Sequence, residues 1–178
     1  MRLFILGATG GIGGELVKQG LERGYEVTAF ARAPEKLRLR HERLAAIPGD
    51  PRDAEQLKKA LIGHDAVLSA LGHRRGGSVT LLGERARGTV SAMQETRVRR
   101  LLVVSVAFLF RGAGLPAAIL RNVFLRANGV DSREMERALI ESQLDWTNVR
   151  PPWLTNGPRT GRYRVEEGHL PRRGFLIL

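Results

Sequence analysis

The chain has 178 residues, 43% of them hydrophobic, and no cysteine. That is enough for one domain with a real core, and it excludes disulfides, cysteine-based zinc sites, iron–sulfur ligation and thiol nucleophiles. Its 29 Lys and Arg against 18 Asp and Glu give a net charge of +11, which favours phosphate-bearing partners.

The basic residues are nevertheless scattered, as Arg38/Arg40/Arg43, His73/Arg74/Arg75, Arg97/Arg99/Arg100, Arg159/Arg162/Arg164 and Arg172/Arg173. No aromatic residues interleave with them as a stacking platform for nucleic acid requires, so a solvated arginine-rich surface is the expectation. The longest apolar stretch, Leu101 to Phe110, is interrupted by Ser105 and falls far short of the roughly 20 residues that span a bilayer. The opening Met1-Arg2-Leu3-Phe4-Ile5-Leu6 runs straight into a glycine loop, leaving no room for a signal-peptide core. A soluble cytoplasmic protein without a membrane partner is expected.

Leu3 to Leu6 is a short, wholly apolar run, the pattern of a strand covered on both faces. Beyond the glycines, Ile12, Leu16, Val17 and Leu21 recur at helical spacing, and Gly24 ends that helix. Tyr25 to Ala31 predicts a second strand and Leu44 to Pro48 a third. Asp53 is placed to cap a helix carrying Leu57, Ala60 and Leu61, closed by Gly63. Ala66 to Leu71 predicts a fourth strand, Val79 to Glu95 a long helix, and Arg100 to Val106 a fifth strand. The stretch from Phe108 to Asn128, with Gly112, Gly114 and Pro116, reads as a loop and short helix over the site. A helix over Ser132 to Ser142 follows, and a sixth strand from Trp146 to Arg150 is stopped by Pro151-Pro152.

Alternating strands and helices of these lengths predict an α/β fold. It is a Rossmann-type doubly wound parallel sheet with three α/β/α layers, one domain over residues 1–178. The expected strand order is 3-2-1-4-5-6, with ligands at the carboxyl ends of the strands.

Gly7-Ala8-Thr9-Gly10-Gly11-Ile12-Gly13 stands between the first strand and the first helix, where a glycine triplet has a job for each member. Gly7 allows the turn out of the strand, Gly10 lets the main chain approach a pyrophosphate, and Gly13 lets the helix pack against the sheet. The helix-start N–H groups of this loop, Gly11 and Ile12 among them, then face the phosphates. The Thr9 hydroxyl adds a donor.

The second strand ends in Ala31-Arg32-Ala33-Pro34-Glu35-Lys36, without the carboxylate that would accept from both ribose hydroxyls of NAD. Arg32 can take a 2′-phosphate in bidentate fashion, with Lys36 as a second cation, so NADP is expected in preference to NAD. Asp50, in Gly49-Asp50-Pro51, either accepts from the adenine amino group or only shapes the turn into the next helix. Leu71 and Gly72 give a small-residue edge along which the dinucleotide lies flat.

A standard short-chain dehydrogenase needs a Tyr with a Lys four residues later. Tyr25 is followed at that spacing by Ala29 and Tyr163 by Glu167, so proton transfer to an alcohol or sugar oxygen is not expected. The four histidines, His41, His64, His73 and His169, have no metal-ligand spacing and read as surface residues; no metal is expected. Ser105, ending the fifth strand, is either a hydrogen-bonding group near the nicotinamide or acceptor or a hydroxyl satisfied at a strand end. Phe108 and Trp153 either wall the acceptor pocket or only pack.

The phrases GATGGIG, VTAFARAPEKL, GDPRDAEQLKKAL, HDAVLSALG, VVSVAFLF and RPPWLTNGPRTGRY, in this order, resemble the atypical short-chain dehydrogenase/reductases with an NAD(P)-binding fold. Within them the chain is most similar to the biliverdin reductase B/flavin reductase group and its bacterial NADH–flavin reductase and NmrA-like cousins. The resemblance implies an NAD(P)H-dependent reductase passing hydride directly to a flavin, such as FMN or riboflavin, or to a quinone-like small-molecule acceptor. It equally contains a non-catalytic NADP-binding sensor of the NmrA type. In the reductase group a His follows the Pro-Pro pair; here that position is Trp153, which counts against tetrapyrrole reduction. Against these relatives the chain reads as short beyond Gly174-Phe175-Leu176-Ile177-Leu178. A monomer or homodimer is expected.

Overall fold

The computed structural model describes residues 1–72, 81–105, 126–151, 154, 161 and 165–168, with backbone only at 81 and 126–131. Six parallel strands form one sheet in the order β3-β2-β1-β4-β5-β6, as the sequence predicts. The strands are β1 (Arg2–Leu6), β2 (Glu26–Ala31), β3 (Leu44–Pro48), β4 (Ala66–Ser69), β5 (Arg100–Val104) and β6 (Asp145–Val149). Among the described residues the helices are α1 (Gly11–Glu22), α2 (Ala54–Leu61), α3 (Leu81–Thr96) and α4 (Arg126–Ile140), with a short 3-10 turn at Pro34–Lys36.

The central strand β1 is buried on both faces from Leu3 to Leu6, which is why its sequence shows an apolar run rather than alternation. On one face Ile5, Val27 and Ala29 pack against Val17 and Leu21 of α1. On the other, Phe4, Leu6, Phe30 and Val67 meet Leu57 and Leu61 of α2, Met93 of α3, and Met135 and Leu139 of α4. Helices on both faces of a parallel sheet complete the three layers.

Helix ends follow local chemistry. Gly24, at φ +81°, closes α1 by donating to the Leu21 carbonyl at 2.9 Å while Tyr25 donates to Gly20 at 3.1 Å, the paired bonds of a Schellman motif. Asp53 caps α2 by accepting from the Gln56 amide at 3.0 Å.

Three expectations are corrected. Helix α4 begins at Arg126 rather than Ser132 and so takes in Asn128. Asn and Gly are weak helix formers, and Asn128-Gly129 therefore reads as loop, yet a helix packed on its neighbours overrides propensity. Strands β4 and β5 stop at Ser69 and Val104, so Leu71 and Ser105 lie beyond the ladder rather than in it. His64 is half-buried, not a surface residue: Nε2 lies 2.9 Å from Thr28 Oγ1 and Nδ1 3.2 Å from the Leu61 carbonyl oxygen, with the ring edge-on to Phe4.

Candidate nucleotide cleft

Strand register aligns the site. Leu6 pairs with both Phe30 and Ser69, Ser69 with Val103, and Val103 with Asn148. The residues just past that row, Gly7, Arg32, Leu71, Ser105 and Arg150, therefore share the carboxyl edge of the sheet. Chain order reverses between β1 and β4, and such a switch point opens the crevice where open α/β sheets bind ligands.

Gly7 sits in this crevice at φ +77°, and a Cβ there would lie 2.6 Å from the Ala70 carbonyl oxygen. At Gly13 a Cβ would overlap the Gly7 carbonyl oxygen, so α1 is pressed against the loop at this buried residue. Gly10 donates to the Gly7 carbonyl at 3.0 Å and accepts from the Gly14 amide at 2.8 Å. Thr9, Gly10, Gly11 and Ile12 are exposed. No side chain caps α1 at Gly10, and no acidic residue occupies its first turn. Uncapped amides at the positive end of a twelve-residue helix, facing solvent, fit an anionic pyrophosphate.

At the end of β2, Arg32 and Lys36 are both exposed. Asp50 is engaged close by: its carboxylate accepts from Arg52 Nη2 at 2.6 Å, from Arg52 Nε at 3.1 Å and from the Arg52 amide at 3.0 Å. Those side-chain hydrogen bonds, aided by the charges of Arg52 and Arg32 and opposed by partial burial, hold the Asp50 carboxyl down at about 2. The geometry is that of a turn feeding α2, with Asp53 N–H donating to the Asp50 carbonyl at 2.9 Å. Pro51 is buried beneath it.

Leu71 is half-buried and Gly72 exposed, with no atom of the described residues within 4 Å of where a Gly72 Cβ would stand. Ser105 is 9% exposed; its N–H donates to the Val149 carbonyl at 2.8 Å, while its hydroxyl has no hydrogen-bond partner among the described residues. Phe108 and Trp153 lie outside the described residues.

Apart from Leu71, sequence reasoning missed the groups behind this edge. Ser69, Leu71, Leu82, Arg85, Thr89 and Val103 line a cavity of about 20 Å³ between α3 and the sheet, room for about one water. Arg85 is buried there, although in sequence it is one more arginine in a basic chain. Glu136 of α4, which binds Asn148 and Arg150, carried no local signal either.

The NAD(P)H-binding family profile matches residues 7–177. The chain belongs to the NAD(P)H-binding family. It is 31% identical over 179 residues to the uncharacterized chloroplastic protein At2g34460 of Arabidopsis thaliana, covering 93% of this chain and 63% of that protein. The chain thus spans just under two thirds of that curated relative. Among solved structures it resembles the oxidoreductase ylbE of Lactococcus lactis, at 26% identity and a TM-score of 0.77 over 90% of this chain and 73% of that one. It also resembles a short-chain dehydrogenase/reductase of Veillonella parvula in complex with NADP, at 25% identity and a TM-score of 0.77, covering 94% and 76%. The fold is therefore that of an NAD(P)-binding, oxidoreductase-like family. Among the described residues no helix is long and apolar enough to cross a membrane.

Proposed function

We propose that this chain is an NADPH-dependent reductase of the flavin reductase type, delivering hydride to a flavin or quinone-like planar acceptor. The observation that carries the reading is the glycine-walled, uncapped start of α1, open to solvent at the switch point of the sheet. The NADP complex of the Veillonella relative supports the same cofactor.

In this reading Gly7, Gly10, Gly11, Ile12 and Gly13 hold the pyrophosphate through main-chain amides, and Thr9 adds its hydroxyl. Arg32 and Lys36 take the 2′-phosphate, because Arg32 faces solvent beside a carboxylate already engaged by Arg52. Asp50 and Pro51 shape the adenine end, and Leu71 and Gly72 form the flat edge toward the nicotinamide.

A reduced nicotinamide bound here would supply hydride to a flavin or similar acceptor, with the accompanying proton available from water. The chain must then align two rings and exclude solvent rather than protonate an oxygen. The Ser105 hydroxyl, buried and unpartnered among the described residues, suits a hydrogen bond to the nicotinamide or acceptor.

Steady-state NADPH oxidation with FMN, riboflavin and a redox dye tests the proposal. Saturable turnover supports it; tight NADPH binding without turnover of any acceptor transfers the chain to the sensor class.

A further inference from the structure

We infer that Glu136 is a positioning residue that sets the acceptor side of the cleft; the inference rests on the reductase reading above. Its carboxylate Oε1 accepts from Asn148 Nδ2 at 3.0 Å and from Arg150 Nη2 at 2.7 Å. One oxygen of α4 thereby pins the residues on either side of Val149. Val149 in turn presents its carbonyl to the Ser105 amide at 2.8 Å. A continuous bonded path runs from α4 through the exit of β6 to the group proposed to meet the nicotinamide or the acceptor.

The pair is withdrawn from water. Arg150 and Glu136 side chains are 26% and 18% exposed, the least of any ion pair whose two members are both described. A shielded ion pair is a poor source of net stability but a firm geometric constraint, because losing one member strands the other. Here the constraint falls where the chain leaves the sheet. Arg150 is followed by Pro151, whose ring fixes φ and removes a donor, so the direction set at Arg150 is carried onward. The carboxylate therefore acts through Arg150, Asn148 and Val149, without touching cofactor or acceptor.

The test compares wild type, Glu136→Gln and Glu136→Ala by amide exchange, NADPH affinity and steady-state kinetics with FMN. For Glu136→Ala, the Ser105 amide should exchange faster while the amides of residues 10–14 do not. NADPH affinity should stay within about twofold, while acceptor KM rises or kcat falls by roughly ten- to a hundredfold, as for a small misplacement of reacting groups. Glu136→Gln, which still accepts from both donors, should recover most of this.

Unchanged Ser105 exchange in Glu136→Ala, or an equal loss of NADPH affinity and acceptor kinetics, overturns the inference. Should Glu136→Ala not fold, Asn148→Ala removes one of the two donors and must speed Ser105 exchange in the same direction. Wild-type protein without turnover refutes the reductase reading instead, and the exchange comparison then decides the positioning role alone.

Discussion

The main chain at Gly13 stands against the carbonyl of Gly7 so closely that a methyl group on residue 13 would overlap the oxygen. The loop and the helix start are thus one packed unit, and the orientation of the amides depends on it. Gly13→Ala must shift α1 or the loop, at a cost of about 1–3 kcal/mol for overpacking a tight site. Gly11 offers a contrast, since no atom of the described residues lies within 4 Å of its would-be Cβ. Gly11→Ala should therefore keep or slightly raise stability by restricting the unfolded chain. Urea midpoints of the two variants test the geometry; equal midpoints would show that the loop is not pressed against the helix.

Arg32 is the residue proposed to carry the cofactor preference. It is exposed at the carboxyl end of β2, and the nearby Asp50 carboxylate is already committed to Arg52 at 2.6 Å. Arg32→Ala should weaken NADPH by roughly 1.5–3 kcal/mol, the range for hydrogen bonds between charged groups, and leave NADH almost unchanged. Calorimetric titration with each coenzyme measures the difference. Parallel losses for both would remove the 2′-phosphate assignment.

These two sites differ in how they are written in the chain. The glycine loop is legible because Gly7 and Gly13 answer steric demands of a strand–turn–helix unit within a few residues, and the strand order follows from alternation and handed crossovers. Arg32 is legible as a candidate because it directly follows β2, at the carboxyl edge of the sheet. Asp50 is only half legible: a carboxylate after β3 is visible, but its capture by Arg52 depends on local turn geometry. Glu136 with Arg150, and His64 with Thr28, join residues on different elements. Nothing in local composition marks such pairs, since register and helix packing decide them. The start of α4 is hidden by Asn128-Gly129, where tertiary packing overrides weak propensity.

His64 gives the fold a titratable weak point. Burial pushes its pKa below the ordinary 6.5, against the raising effect of its bond to the Leu61 carbonyl. With Nδ1–H donating to Leu61, the neutral ring accepts from the Thr28 hydroxyl at Nε2. Protonation there reverses that bond and places a charge beside Phe4. The folded state thus binds this proton less readily than the unfolded state, so the stabilisation is present above 6.5 and is lost as pH falls from 6.5 through the lower folded value. In chemical denaturation between about pH 7.5 and 5, wild type should lose stability on acidification and His64→Gln should show a flatter profile. Identical slopes would mean that His64 titrates alike in both states.

Ser105 separates a working hydroxyl from a structural one. Its Oγ is buried without a hydrogen-bond partner among the described residues, although its amide is bonded to Val149 at 2.8 Å. A buried hydroxyl left unpartnered adds nothing to stability and costs its desolvation, so Ser105→Ala should fold as well as wild type or slightly better, within about 0.5–1 kcal/mol. If that hydroxyl is held ready for the nicotinamide or the acceptor, the same variant should lose roughly tenfold in turnover, the worth of about one hydrogen bond. Stability and activity would then move in opposite directions, which a packing role does not produce. Thermal midpoints and NADPH oxidation measured on one preparation decide it: unchanged turnover in a well-folded Ser105→Ala protein removes Ser105 from the chemistry.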